Sequence, residues 1–206
     1  MNSEQPSFNG LVLAGGRSRR MGTDKASLRY GDDPRPQWKR LAELLNKVCR
    51  EVFISIRQGQ KLEEYYPDGG FRLLEDPPMS EGPLTGFLEA FKVAPKSAWL
   101  VAACDLPLLD SQTLKYLLAH RGPHNAVAYR SAHDGLPEPM CALYEPGMKP
   151  LLEAALQSGL RCPRKILINH SKVTRLLDLP NPEALENANT PEEFERLSRD
   201  LKGVPS

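Results

Sequence analysis

The chain has 206 residues, 40% of them hydrophobic and 26% charged, which fits one α/β domain with a full core. A formal charge of +1 supplies no field that draws nucleic acid or an anionic membrane, so any anion must be held by a local cluster of donors. No apolar stretch reaches membrane-spanning length, the segment Met1 to Asn9 is polar, and the four cysteines (Cys49, Cys104, Cys141, Cys162) form no Cys-x-x-Cys pair. The expectation is a cytoplasmic protein without nucleic acid or membrane among its partners, without a zinc site and without a disulfide framework.

In chain order, Asn9 to Ala14 reads as a short buried strand that ends in Gly15-Gly16, followed by a basic loop to Lys25. Trp38, Leu41, Leu45 and Val48 recur at helical spacing and predict an amphipathic helix over 36–49, opened by Pro36. Val52 to Ile56 and Phe71 to Leu74 are the next strands. Pro83 to Val93 is helical, with Leu84, Phe87, Leu88 and Phe91 on one face. Ala98 to Ala103 is apolar throughout, as a strand covered on both faces reads, and stops at Cys104-Asp105. Asp110 or Ser111 caps a helix that ends before Gly122. Strands at 125–130 and 139–144 flank a Gly/Pro turn at 134–137. Helices at about 147–157 and 163–169 follow, then a strand from Val173 to Leu177. Thr190-Pro191-Glu192-Glu193 is a capping box that opens the last helix. This alternation predicts a single Rossmann-like three-layer α/β domain over 1–206. Its sheet is doubly wound, mostly parallel (mixed) and carries helices on both faces, with loose ends at 1–7 and about 202–206.

The loop after the first strand lacks both G-x-x-x-x-G-K-[ST] and G-x-G-x-x-G, so a P-loop NTPase and a dinucleotide dehydrogenase lose support. It has Gly15 and Gly16 at a strand's carboxyl end, then Arg17, Arg19, Arg20 and Lys25. Glycines there let backbone N–H groups approach phosphate oxygens, and the cations offset a triphosphate's charge. A solvated basic turn is the plain alternative, but the position after a buried strand favours an anion site. Asp105, at the mouth of the apolar run, is a hard oxygen ligand of the kind Mg²⁺ takes beside phosphate oxygens. The four histidines have no metal-ligand spacing.

Leu13-Ala14-Gly15-Gly16-Arg17-Ser18-Arg19-Arg20-Met21-Gly22-Thr23-Asp24-Lys25 resembles the signature loop of the NTP-transferase fold. With Gly82-Pro83-Leu84-Thr85-Gly86 and Asn187-Ala188-Asn189-Thr190-Pro191-Glu192-Glu193, the whole chain is similar to the molybdenum cofactor guanylyltransferases. That resemblance implies nucleotide contacts from the backbone of Leu13, Ala14, Gly15 and Gly16, and phosphate pairing by Lys25. It implies a second clamp at Arg20, which as a bare residue reads equally as a surface arginine. It also implies magnesium on Asp105 and nucleotide contact at Asp76, although an aspartate before Pro77-Pro78 is also a turn former. Gly82 and Gly86 would approach the base or ribose, with helix packing the alternative for Gly86. Asn189 would help hold Mg²⁺ and Asn187 would face the acceptor, although both are ordinary residues before a helix cap. Arg161 and Arg164, with the His133 to Pro139 segment, resemble the acceptor-facing parts.

The implied reaction moves GMP from GTP to the terminal phosphate of molybdenum-loaded molybdopterin, with other cofactor-biosynthesis or molybdoenzyme-maturation proteins as partners. A phosphate monoester is its own nucleophile, which fits the lack of any triad-like constellation. The alternatives are a nucleotidyltransferase using CTP or a sugar phosphate, and a non-catalytic nucleotide-binding regulator. One departure stands out: relatives often carry asparagine in the strand matching Ile54-Ser55-Ile56-Arg57, and none occurs here, leaving Ser55 or Arg57 as substitutes.

Overall fold

The computed structural model describes residues 8–16, 21–65, 69–78 and 82–203. Seven strands form one sheet: β1 (Phe8–Leu13), β2 (Val52–Ile56), β3 (Phe71–Glu75), β4 (Ala98–Ala103), β5 (Ala126–Arg130), β6 (Pro137–Tyr144) and β7 (Thr174–Leu177), in the order β3-β2-β1-β4-β6-β5-β7. Only β6 runs antiparallel to its neighbours, so the sheet is mixed and mostly parallel, as expected. Helices α1 (Gln37–Asn46), α2 (Leu84–Val93), α3 (Ser111–Ala119), α4 (Lys149–Gln157), α5 (Pro163–Asn169) and α6 (Pro191–Asp200) complete the described frame.

Alternation along β1 builds the three layers. Leu11 and Leu13 join the core under α2, α4 and α5, with Phe87, Phe91, Leu152 and Ile166. Val12 and Ala14 face the other way, into the core under α1 and α3, with Trp38, Leu41, Leu45 and Leu114. A strand covered on both faces can afford no polar side chain, and β4 is buried at all six positions. A third, smaller cluster of Met21, Tyr30, Ala188 and Leu197 seats α6 beside the end of the glycine loop.

Several boundaries moved by one to three residues, two of them for clear local reasons. The helix expected at 36–49 ends at Asn46, where the amides of Val48 and Cys49 both turn back to the Leu45 carbonyl before the chain enters β2. The strand expected from 139 starts at Pro137. Pro139 has no N–H to donate, and it falls in the register shift beside Ala128/Tyr129, where no β5 partner is required of it. The capping box is present in full, with Thr190 and Glu193 exchanging side-chain and backbone bonds. No described helix is long and apolar enough to cross a membrane.

Candidate active site

The first three strands step outward as β1, β2, β3, and the chain then returns to the other side of β1 with β4. Neighbouring strands that send their connections in opposite directions leave a crevice at their carboxyl ends, where open α/β sheets bind ligands. Leu13–Gly16 leaves β1 at this point and Asp105 leaves β4. The amide of Cys104 still donates to the Leu13 carbonyl at 3.2 Å, so the two exits are held side by side.

Lys25 returns to the same point at the far end of the glycine loop. It opens a short 3-10 turn (Lys25–Ser27) capped by Asp24, whose Oδ1 accepts from the Ala26 amide at 3.0 Å. Its Nζ donates to Asn189 Oδ1 at 2.6 Å and lies 3.8 Å from Asp105 Oδ2. Asn189 is delivered by the segment before α6, where the Ala188 amide donates to the Asp105 carbonyl at 2.9 Å. Lys25, Asp105 and Asn189, far apart in sequence, thus form one cluster. From below, α1 steadies it: Gln37 and Arg40 donate to the Leu106 carbonyl at 3.1 and 3.2 Å, and Arg40 also reaches the Leu109 carbonyl.

The electrostatics of Asp105 are unusual. Its Oδ1 is buried and has no hydrogen-bond partner. Burial pushes its carboxyl above the usual range, and the Lys25 charge opposes that rise only in part. A buried acceptor left unpaired costs free energy, so such an atom marks a place where a further donor or cation fits. Among the described residues no group of three His, Cys, Asp or Glu side chains gathers to hold a metal. The oxygens of Asp105 and Asn189 are hard donors suited to Mg²⁺, which completes its shell with phosphate oxygens and water.

A second cluster lies at the carboxyl ends of β2 and β3. The Ser55 hydroxyl donates to Asp76 Oδ1 at 3.1 Å, and the Asp76 amide donates to the Ile56 carbonyl at 2.8 Å. Burial pushes the Asp76 carboxyl up to about 6; the Ser55 bond opposes this and the charge of Glu89 adds to it. A Cβ placed on Gly15 would lie 3.2 Å from Asp76 Oδ2, and one on Gly86 would lie 2.5 Å from Ser55 Oγ. Gly86 is therefore needed for close packing on Ser55, and a side chain at Gly15 would press on Asp76. Gly16 differs, since no described atom lies within 4 Å of where its Cβ would be, and its exposed backbone is open to a ligand. Gly82 has φ +79, a left-handed conformation that favours glycine just before α2.

Of the expected site residues, Leu13, Ala14, Gly15, Lys25, Asp105 and Asn189 come together at the crevice, and Asp76 and Gly86 lie along its β2–β3 side. Arg20 falls outside the described residues. Arg161 lies beside Gly82, its carbonyl 4.0 Å from where a Cβ there would sit. Arg164 is bound by two carboxylates, Asp134 Oδ2 and Glu138 Oε1, each at 2.8 Å, so its charge is offset within the protein. Asn187 is half-buried between a 3-10 turn (Pro182–Leu185) and α6.

One site residue, Gln60, was not singled out in the sequence, and the contacts of Asp24 and Arg57 were not foreseen. Gln60 Nε2 donates both to the Ala14 carbonyl at 3.0 Å and to Asp24 Oδ2 at 2.7 Å, tying the start of the glycine loop to its end. Arg57 pairs with the same Asp24 oxygen at 3.2 Å. Asp24 was detectable as a cap residue before Lys25-Ala26-Ser27, whereas Gln60 sits in a loop with no pattern to mark it.

A glycine loop, a lysine and a half-buried carboxylate at the switch point of a doubly wound sheet fit a nucleotide-binding α/β protein of the phosphate-transfer class. Residues 10–173 match the MobA-like NTP transferase domain, and the chain belongs to that family. It is 37% identical over 201 residues to a molybdenum cofactor biosynthesis bifunctional protein of Synechocystis, covering 95% of this chain and 55% of that one, and so spans little more than half of that relative. It is 32% identical over 184 residues to a molybdenum cofactor guanylyltransferase of Ectopseudomonas mendocina, covering 88% and 87% of the two chains. A molybdopterin-guanine dinucleotide biosynthesis protein A from Archaeoglobus fulgidus shares the fold, with a TM-score of 0.74, 21% identity and coverage of 94% and 98%.

Proposed function

We propose that this protein transfers GMP from GTP to the terminal phosphate of molybdopterin, producing the guanine dinucleotide form of the cofactor and pyrophosphate. The observation that carries the reading is the convergence of Lys25, Asp105 and Asn189 beside the Leu13–Gly16 backbone. The names of the relatives support the choice of GTP and molybdopterin.

In this reading the Leu13–Gly16 backbone binds the nucleotide and its phosphates lie along the glycine loop. Lys25 leaves Asn189 to follow the phosphates, as a flexible point charge can. A terminal phosphate oxygen of the acceptor forms the new bond to the α-phosphorus. The bond from that phosphorus to the bridging oxygen breaks, and pyrophosphate leaves with the electron pair. No protein nucleophile is needed; positioning and charge neutralisation carry the rate. Asp105 and Asn189 would hold Mg²⁺, which when bound supplies positive charge to the phosphate oxygens. Asp76 is the group suited to guanine: an ionised carboxylate accepts from both N1–H and N2–H₂, two donors that cytosine does not present together.

The decisive experiment measures pyrophosphate release from GTP and from CTP, each with and without molybdenum-loaded molybdopterin. Release that needs both GTP and the acceptor is expected. Equal turnover of CTP, or GTP binding without release for any acceptor, would replace the reading with a cytidylyltransferase or a binding protein.

A further inference from the structure

We propose that Ser55 is a specificity-determining positioning residue, which holds the Asp76 carboxylate in the orientation that distinguishes guanine from other bases. The inference rests on Asp76 reading the base, as argued above, and extends it to a residue that makes no contact of its own with the nucleotide.

The geometry has three parts. Ser55 is 2% exposed, at the carboxyl end of β2 between β1 and β3, where Leu13 and Leu74 are its register partners. Its hydroxyl donates to Asp76 Oδ1 at 3.1 Å. That hydroxyl is fixed in place by α2, because the Gly86 backbone approaches so closely that a Cβ there would lie 2.5 Å from Ser55 Oγ and 3.1 Å from Leu13 Cδ2. Gly15 closes the opposite side, its own would-be Cβ 3.2 Å from Asp76 Oδ2. The carboxylate is thus held on one oxygen by a donor and bounded at the other by glycine backbone. It keeps acceptor capacity for a ligand, since one bond from Ser55 leaves lone pairs on both oxygens.

A free aspartate rotates about its terminal torsion, and a base contact would have to freeze that motion. A carboxylate already oriented by a buried hydroxyl loses less freedom and discriminates better, which is the advantage of preorganisation. The serine side chain is short, and its hydroxyl is bonded to Asp76, so here the strand acts through Asp76. The two glycines acquire a shared reason: a side chain at Gly86 would clash with Ser55, and one at Gly15 would press on Asp76.

The test is steady-state kinetics of the purified full chain with GTP, ITP and CTP, comparing wild type with Ser55→Ala, Gly86→Ala and the double variant. ITP keeps the N1–H donor of guanine and lacks the 2-amino group. Wild type should prefer GTP to both other nucleotides; failure of that preference would overturn guanine reading, and the role of Ser55 with it. Ser55→Ala should raise KM for GTP about tenfold, the scale of one hydrogen bond to a charged group, and leave kcat nearly unchanged. KM for ITP should rise less, so the GTP-to-ITP ratio of kcat/KM should fall. Gly86→Ala should reduce the same ratio by displacing the hydroxyl, and the double variant should discriminate no worse than Gly86→Ala alone. Melting temperatures identify any variant that fails to fold, and Ser55→Ala, which removes a single atom, carries the test if Gly86→Ala is lost. A parallel loss for GTP and ITP, a loss confined to kcat, or no change in the ratio would overturn the proposal.

Discussion

Replacing Asp105 with asparagine should leave the protein more stable and nearly inactive. The Oδ1 atom is buried without a partner, and Lys25 stands 3.8 Å from the other oxygen, beyond hydrogen-bond distance. An unpaired buried polar group costs about 1–3 kcal/mol, more when charged. Asparagine keeps the shape, removes the charge that burial opposes and leaves the 2.6 Å bond from Lys25 to Asn189 intact. Allowing for the lost attraction to Lys25, the net gain is roughly 1 kcal/mol, which for a domain of this size raises Tm by about 2–4 °C. Catalysis should move the other way: removing one group that positions charge against developing charge costs about 100-fold or more in kcat. Differential scanning calorimetry and pyrophosphate release from GTP read the two effects on one preparation. A variant that melts several degrees lower would make Asp105 a structural residue. A stabilised variant with wild-type turnover would remove it from the catalytic site. Only the combination of a gain in Tm and a loss in rate supports a carboxylate kept in an unfavourable place for its chemistry.

Four further outcomes follow from the same geometry. With its ammonium as the proposed phosphate partner, Lys25→Met should raise KM for GTP and lower kcat by about 100-fold in steady-state assays, and a change in neither would place the phosphates elsewhere. Asp76, raised to about 6, should read the base only when ionised, so KM for GTP should climb as pH falls below 6 and flatten in Asp76→Asn. A carboxyl whose folded pKa is raised binds protons more tightly in the native state, so wild-type stability should fall as pH rises from about 4 to 6, and Asp76→Asn should lose that slope in urea titrations. Gln60→Leu, which cuts both bonds tying Ala14 to Asp24, should weaken GTP binding about tenfold by calorimetry and increase proteolysis of the glycine loop; unchanged affinity would show the loop needs no tie.

The elements were legible because each carries a local cause. The apolar run of β4, the alternation in β1 and the capping box at Thr190 are properties of neighbouring residues, and each element appears where its pattern places it. The same is true of Asp105, whose position after a buried strand is a local fact. The 3-10 turn at Pro182–Leu185 also had a signal, Asn181 before Pro182-Glu183, and the structure shows Asn181 capping the Glu183 amide. What could not be read is the pairing across distance. Nothing near Asn189 says that its amide oxygen meets Lys25, and nothing near Gln60 says that it bridges the ends of a loop closed 36 residues earlier in the chain. Arg164 shows another pairing across distance: it reads as a cation offered to an acceptor phosphate, and the fold pairs it with Asp134 of the β5–β6 turn and Glu138 of β6. Local sequence reports which groups are present, and the sheet order decides which of them meet.

That order divides the site in two. The β1–β4 crevice gathers Lys25, a cation suited to phosphate, with Asp105 and Asn189, oxygen donors suited to a metal. The β2–β3 side gathers Ser55 and Asp76 between two glycines, groups whose chemistry is directional hydrogen bonding, and these suit a base. Leu13–Gly16 belongs to both halves, since Cys104 is bound at Leu13, Ser55 at Ala14, and Asp76 packs on Gly15. A nucleotide lying along this segment would reach each half with the matching end. If the proposed nucleotide placement holds, the fold alone would not select the nucleotide: strand order would fix where phosphate and base go, and the identity of the base would depend on the few atoms at the end of β2, where this chain has serine.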